Sequence, residues 1–151
     1  MTPEEQNQYD WMRAAAHSFH SASVLLQEGI NILASKVLEK GVDIRSSLIS
    51  SALLYALSIE ISLKTLAKRE GIRIEKQHDL KSLFDLLPEE IKNRIKESVE
   101  GYDDNFDTLL EANKKTFIEW RYFYEKDNLN VDLDFIRKFS LAANNECNNL
   151  K

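Results

Sequence analysis

The chain has 151 residues, of which 43% are hydrophobic and 30% charged, with a net charge of −5. One domain, 1–151, is the expectation at this length, and it buries enough surface to fold without a disulfide or a structural metal. Four glycines and two prolines argue against a loop-rich β-sandwich. A single cysteine, Cys147, excludes an intrachain disulfide and a cysteine-based zinc site.

The periodicity is helical throughout. Thr2 caps a first helix predicted over 3–28. Pro3 takes its first position, Glu4 and Glu5 complement its dipole, and Tyr9, Met12, Ala16, Phe19 and Leu26 supply its apolar stripe. Gly29 is expected to end it. Residues 30–40 read as weakly helical, either a continuation or a short separate helix, stopped by Gly41. Asp43 or Ser46 caps a second helix over 45–70, closed by Gly71. Its stripe is Ile49, Ala52, Leu53, Ala56, Glu60, Leu63 and Ala67, and Leu57, Ile59, Ile61 and Leu66 occupy its other faces. A helix apolar nearly all round is a buried one, so this long helix should be central.

A connector at 72–77 leads to a short helix over 79–87, for which Asp79 is the N-cap and His78 a loop residue packed over it. Pro88 ends it and opens a helix over 89–100. A long helix is predicted over 104–125, then a polar loop over 126–130 and a last helix over 131–149. Residues 144–151 are expected to fray. These elements predict an all-α fold, a single-domain antiparallel bundle of five to six helices.

Most enzyme signatures are missing: no Gly-rich phosphate loop, no nucleophile elbow, no His-Glu-x-x-His. Glu75-x-x-His78 is a lone copy of a motif that a di-iron bundle needs twice. His17 and His20 share a helix face three residues apart and read as a solvated polar face. No metal or cofactor is expected.

The sharper constellation joins two helices. Glu60 interrupts the apolar stripe of the central helix, and Lys64 follows one turn later in the favourable order. A buried carboxylate needs a partner. Arg121 extends the stripe Phe106, Leu110, Asn113, Phe117 and is flanked by Trp120, Tyr122, Phe123 and Tyr124. The expectation is that Glu60 and Arg121 pair, either as an interhelix ion pair that fixes register or as the floor of a cleft. In such a cleft Arg121 binds phosphate, tyrosine hydroxyls assist, and aromatic faces stack bases.

Three stretches together resemble a HEPN domain: Leu54-x-x-Leu57-x-x-Glu60-x-x-Leu63-Lys64, then His78-Asp79-Leu80-x-x-Leu83, then Trp120-Arg121-Tyr122-x-Tyr124-Glu125. The resemblance covers about 45–142. It implies a compact helical bundle, commonly dimeric, from a family containing metal-independent ribonucleases of bacterial defence and toxin–antitoxin systems and inactive members that bind RNA, nucleotides or proteins. The family's catalytic motif is Arg, four to six residues, then His. Arg121 matches its start, but 126–128 are Lys126, Asp127 and Asn128, and no histidine follows Arg121. Without an imidazole for proton transfer near neutral pH, efficient cleavage is not expected.

The resulting expectation is a non-catalytic RNA-, nucleotide- or partner-binding module, with Arg121, Tyr122, Tyr124, Glu125, Glu60, Lys64 and Lys126 as its cleft. The alternatives are a divergent ribonuclease with a non-histidine partner for Arg121, and a purely structural interaction bundle. The expected partners are a second copy, RNA or a nucleotide, and a cognate protein. The aromatics Phe117, Trp120, Tyr122, Phe123 and Tyr124 exceed what one buried face can use and favour an interface. An acidic chain is a poor ligand for duplex DNA. The polar, acidic N-terminus and the want of a long apolar run lead to the expectation of a cytoplasmic protein with no membrane association.

Overall fold

The computed structural model describes residues 1–37, 44–99, 101–102, 104–120 and 131–149. The described residues form an all-helical bundle: α1 (Pro3–Val37), α2 (Ile44–Arg69), α3 (Leu80–Asp85), α4 (Glu89–Ser98), α5 (Phe106–Asn113), α6 (Thr116–Trp120) and α7 (Leu133–Asn148). The long α2 is the hub and packs on α1, α7, α6 and α3. Tyr55, Ile59, Leu63 and Leu66 of α2 are completely buried. Phe84, Phe106, Phe135 and Phe139, from α3, α5 and α7, form the aromatic part of the core, with ring centroids 5.2–5.8 Å apart.

The expectation that no stretch is apolar enough to cross a membrane holds only in part. Ile49–Arg69 has the length and mean hydropathy, 1.3, of a membrane span. Its burial against α1 and α7 marks it as the core helix of a bundle.

Several predicted boundaries hold for the reasons given. Gly71 adopts φ +69 just past α2, where the left-handed turn favours glycine. The Asp79 side chain accepts the Ser82 amide at 2.8 Å and caps α3. Pro88 separates α3 from α4.

Others are corrected. Gly29 does not end the first helix; α1 runs through it to Val37. A glycine inside a helix costs only about 1 kcal/mol, which a long packed helix absorbs. Ser46 lies inside α2 and is not its cap; Asp43 and Gly41 lie outside the described residues. The helix predicted over 104–125 is broken at Lys114 and Lys115. There the Thr116 hydroxyl donates to the Asn113 carbonyl at 2.6 Å, and the Leu80 amide donates to the Lys114 carbonyl at 2.9 Å. Both carbonyls are thereby satisfied without a continuous helix. The C-terminal turn, expected to fray, is firmly held. Asn144, Glu146 and Cys147 are buried, and the Tyr9 hydroxyl donates to the Cys147 carbonyl. The buried Glu146 carboxylate accepts from Arg94 (2.7 Å) and Arg69 (3.4 Å).

Candidate functional site

α2 turns Glu60 into the bundle, where the residue is only 4% exposed. Its Oε1 accepts from Lys64 Nζ at 2.8 Å, one turn along the same helix, and lies 2.9 Å from His78 Nδ1. His78 reaches it from the connector after α2. Asp79, next in the chain, caps α3, and the Gln77 side chain accepts the backbone amides of His78 and Asp79 at 3.0 and 3.1 Å. The backbone on both sides of the imidazole is therefore fixed. The expected partnership of His78 with Asp79 is a correction: the ring is bound to Glu60, and Asp79 caps independently. The His78 side chain is half exposed, so the carboxylate orients an imidazole whose other edge meets solvent. Among the described residues no donor reaches the second oxygen, Glu60 Oε2, although it is buried.

Arg121, Tyr122, Tyr124, Glu125 and Lys126 lie outside the described residues, and so does the expected Glu60–Arg121 pair. Of the predicted cleft, the described structure brings Glu60 and Lys64 together, and it adds His78, which the sequence placed outside the cleft as a loop residue beside the cap.

Lys64 also lines a groove of about 350 Å³ between the start of α1, the end of α2 and the connector. Lys68 and Arg73 add two cations to its wall, and Met12, Ile72 and Ile74 supply apolar surface. Lys68 Nζ donates to Gln8 at 2.7 Å. Among the described residues Glu75 is the only carboxylate in the lining. Within an acidic chain this is a local basic strip. Sequence reading passed over Lys68 and Arg73, yet the signal was present: Glu60, Lys64 and Lys68 recur every four residues along one helix face.

His17 and His20 do not form the solvated pair expected of them. His17 is exposed, while His20 is buried, with Nδ1 2.8 Å from the Ser140 hydroxyl and its ring against Tyr55. Burial lowers the His20 pKa, and His17 and Arg137 add to the effect. Around it, Ser23 binds the Ser51 carbonyl, Ser58 binds the Ala16 carbonyl, and Asn144 binds Ser58. This seam locks α1, α2 and α7 together and has no free functional group at its centre. Cys147 is equally inert, since burial pushes its thiol up to about 12. Among the described residues no three His, Cys, Asp or Glu side chains converge as metal ligands.

Comparison with protein-family models, with curated proteins and with solved structures finds no match to this chain in any of the three.

Proposed function

We propose that the chain is a HEPN-like bundle that binds RNA or nucleotide phosphates without cleaving them efficiently, as a homodimer in a bacterial defence or toxin–antitoxin setting. The observation that carries the reading is the polar centre at Glu60, Lys64 and His78 opening beside a groove walled by Lys64, Lys68 and Arg73. Two features of the sequence resemblance converge on it, the Glu60/Lys64 positions and the His78-Asp79 step. Arg121 follows directly on α6, which packs on α2. In this proposal its guanidinium supplies the donor for Glu60 Oε2 and offers the rest of its fork to a phosphate.

The test is fluorescence anisotropy with labelled single-stranded RNA and with a mononucleotide. Affinity should fall with salt, with a slope of about −0.7 per phosphate contacted. Lys68→Ala, Arg73→Ala and Arg121→Ala should each weaken it. RNA binding that none of the three changes would overturn the reading.

A second reading, a metal-independent ribonuclease, is favoured by His78. An imidazole oriented by a buried carboxylate is a suitable proton-transfer group, and it compensates for the histidine missing after Arg121. Metal-independent cleavage of labelled RNA that disappears in both His78→Gln and Arg121→Ala would establish this second reading over the first.

A further inference from the structure

Between Trp11 and Leu25 the side of α1 facing away from the bundle carries no charged residue, where solvent-exposed helices normally carry most. Residues 14–27 contain no Asp, Glu, Lys or Arg, in a chain that is 30% charged. Tyr9, Ala16, His20 and Ser23 mark the buried side of the helix. At 100° per residue, Trp11, Ala14, Ser18, Ala22, Leu25 and Gly29 fall on one narrow stripe diametrically opposite. Trp11 is 71% and Leu25 68% exposed, the two most exposed large apolar side chains among the described residues. Leu26, 37% exposed, borders the stripe. This apolar patch is on the order of 400 Å² per copy, within the range that marks interaction sites on a monomer. That is about half of the ~800 Å² per partner in a standard interface, with the polar flanks left to supply the rim. Loss of charge around an aromatic anchor is the composition of an interface core.

The stripe is also a palindrome. Leu25 lies as far after Ser18 as Trp11 lies before it, and Ala22 mirrors Ala14 in the same way. We propose that α1 pairs in antiparallel fashion with α1 of a second copy, crossing at Ser18 on a two-fold axis. Trp11 then packs on Leu25 of the partner subunit, and Ala14 faces Ala22 of the partner subunit. Small residues at the crossing let the helices approach to the lower end of the usual 8–10 Å. A parallel pair would set Trp11 against Trp11, hold the small residues apart, and align the two helix dipoles unfavourably. The interface is isologous, as a closed two-fold dimer requires.

The inference deepens the homodimer in the proposed function and is independent of RNA, so its test contains no RNA. Light scattering at tens of micromolar should give about twice the 17.5 kDa chain mass. Leu25→Asp and Trp11→Ser should reduce it to the chain mass. Both positions are exposed, so the far-ultraviolet circular dichroism of the variants should match that of the parent. Under mild oxidation Ser18→Cys should form a dimer by itself, because facing Cα atoms at such a crossing come within about 5 Å. Ala14→Cys and Ala22→Cys should each cross-link poorly alone and well when mixed. The native Cys147, 1% exposed, stays silent. A monomer at every concentration overturns the inference. So does a dimer unaffected by Leu25→Asp with no Ser18→Cys cross-link, which would leave a homodimer standing through another face.

Discussion

Glu60→Gln is the most informative single change in this molecule. The residue is 4% exposed, and its Oε1 is served by Lys64 and His78, whose side chains are 23% and 49% exposed. Hydrogen bonds to a charged group contribute about 1.5–3 kcal/mol each before allowance for solvent, and less where the donor is wet. Both partners bind the same oxygen and Gln keeps it, so with these two alone the change removes the charge assistance and should cost about 1–2 kcal/mol. A guanidinium on Oε2 raises the stakes, because removing one member of a buried pair costs about 3–5 kcal/mol. On the proposed pairing, Arg121→Met takes the donor from Glu60 Oε2 and should fall in that higher range. The double variant Glu60→Gln/Arg121→Met should recover part of the loss, giving a coupling of at least about 1.5 kcal/mol in a double-mutant cycle. Urea denaturation of the four proteins at pH 7 measures it. A coupling below about 0.5 kcal/mol, the level of independent sites, refutes the pairing and the phosphate cleft built on it.

The Arg94–Glu146 contact should be asymmetric. Arg94→Leu strands a 4%-exposed carboxylate with Arg69 at 3.4 Å and should cost about 3 kcal/mol, whereas Glu146→Gln strands only part-exposed guanidiniums and should cost about half as much. Equal losses in urea melts would contradict this. Burial pushes the Glu146 carboxyl up, but hydrogen bonds from Arg94, Asn149 and Arg69 hold it below its ordinary value. Its contribution is therefore full above pH 4.5 and is lost as pH falls through the lowered folded value, a loss that thermal melts should find blunted in Glu146→Gln. His20, whose pKa burial lowers, adds an earlier step. Stability should begin to fall as pH drops below about 6.5, because the unfolded chain takes up the proton first, and His20→Gln should remove that step. Asp79→Ala should cost about 1 kcal/mol through its lost cap, and a larger loss of RNA affinity than of stability would show that the cap also positions His78.

What the sequence revealed followed local rules. Gly71 stops α2 because a left-handed residue must follow it, and Asp79 caps α3 because its carboxylate reaches the Ser82 amide. Both are readable within four residues. The centrality of α2 was equally plain, because its apolar residues leave no face for water. The misreadings came from contacts between distant residues. Gly29 is a different case: it resembled a stop by residue type alone, yet it has a helical neighbour on both sides and costs the long helix only about 1 kcal/mol. The break at Lys114 depends on an amide from Leu80, and the order of the C-terminal turn depends on Arg94 and Arg69. His20 was placed in solvent because only the fold brings Ser140 and Tyr55 to it. At the candidate site Glu60 was singled out by its polarity on an apolar stripe, whereas its bond to His78 spans a connector with no periodicity to reveal it.

The hydrogen bond from the Leu80 amide to the Lys114 carbonyl does more than finish two helices. It places the positive end of α3 against the break between α5 and α6. His78 lies two residues before one end of this joint, and the five residues of α6 carry the chain from the other end to Arg121. The joint thus ties together two arms of the chain, the one that leads from His78 into α3 and the one that leads into α6. On the proposed function, a phosphate that displaces His78 loads this hydrogen bond as well as the packing of α3 and α6 on α2. The hydrogen-exchange rate of Leu80 should then report occupancy of the site without a label on either arm.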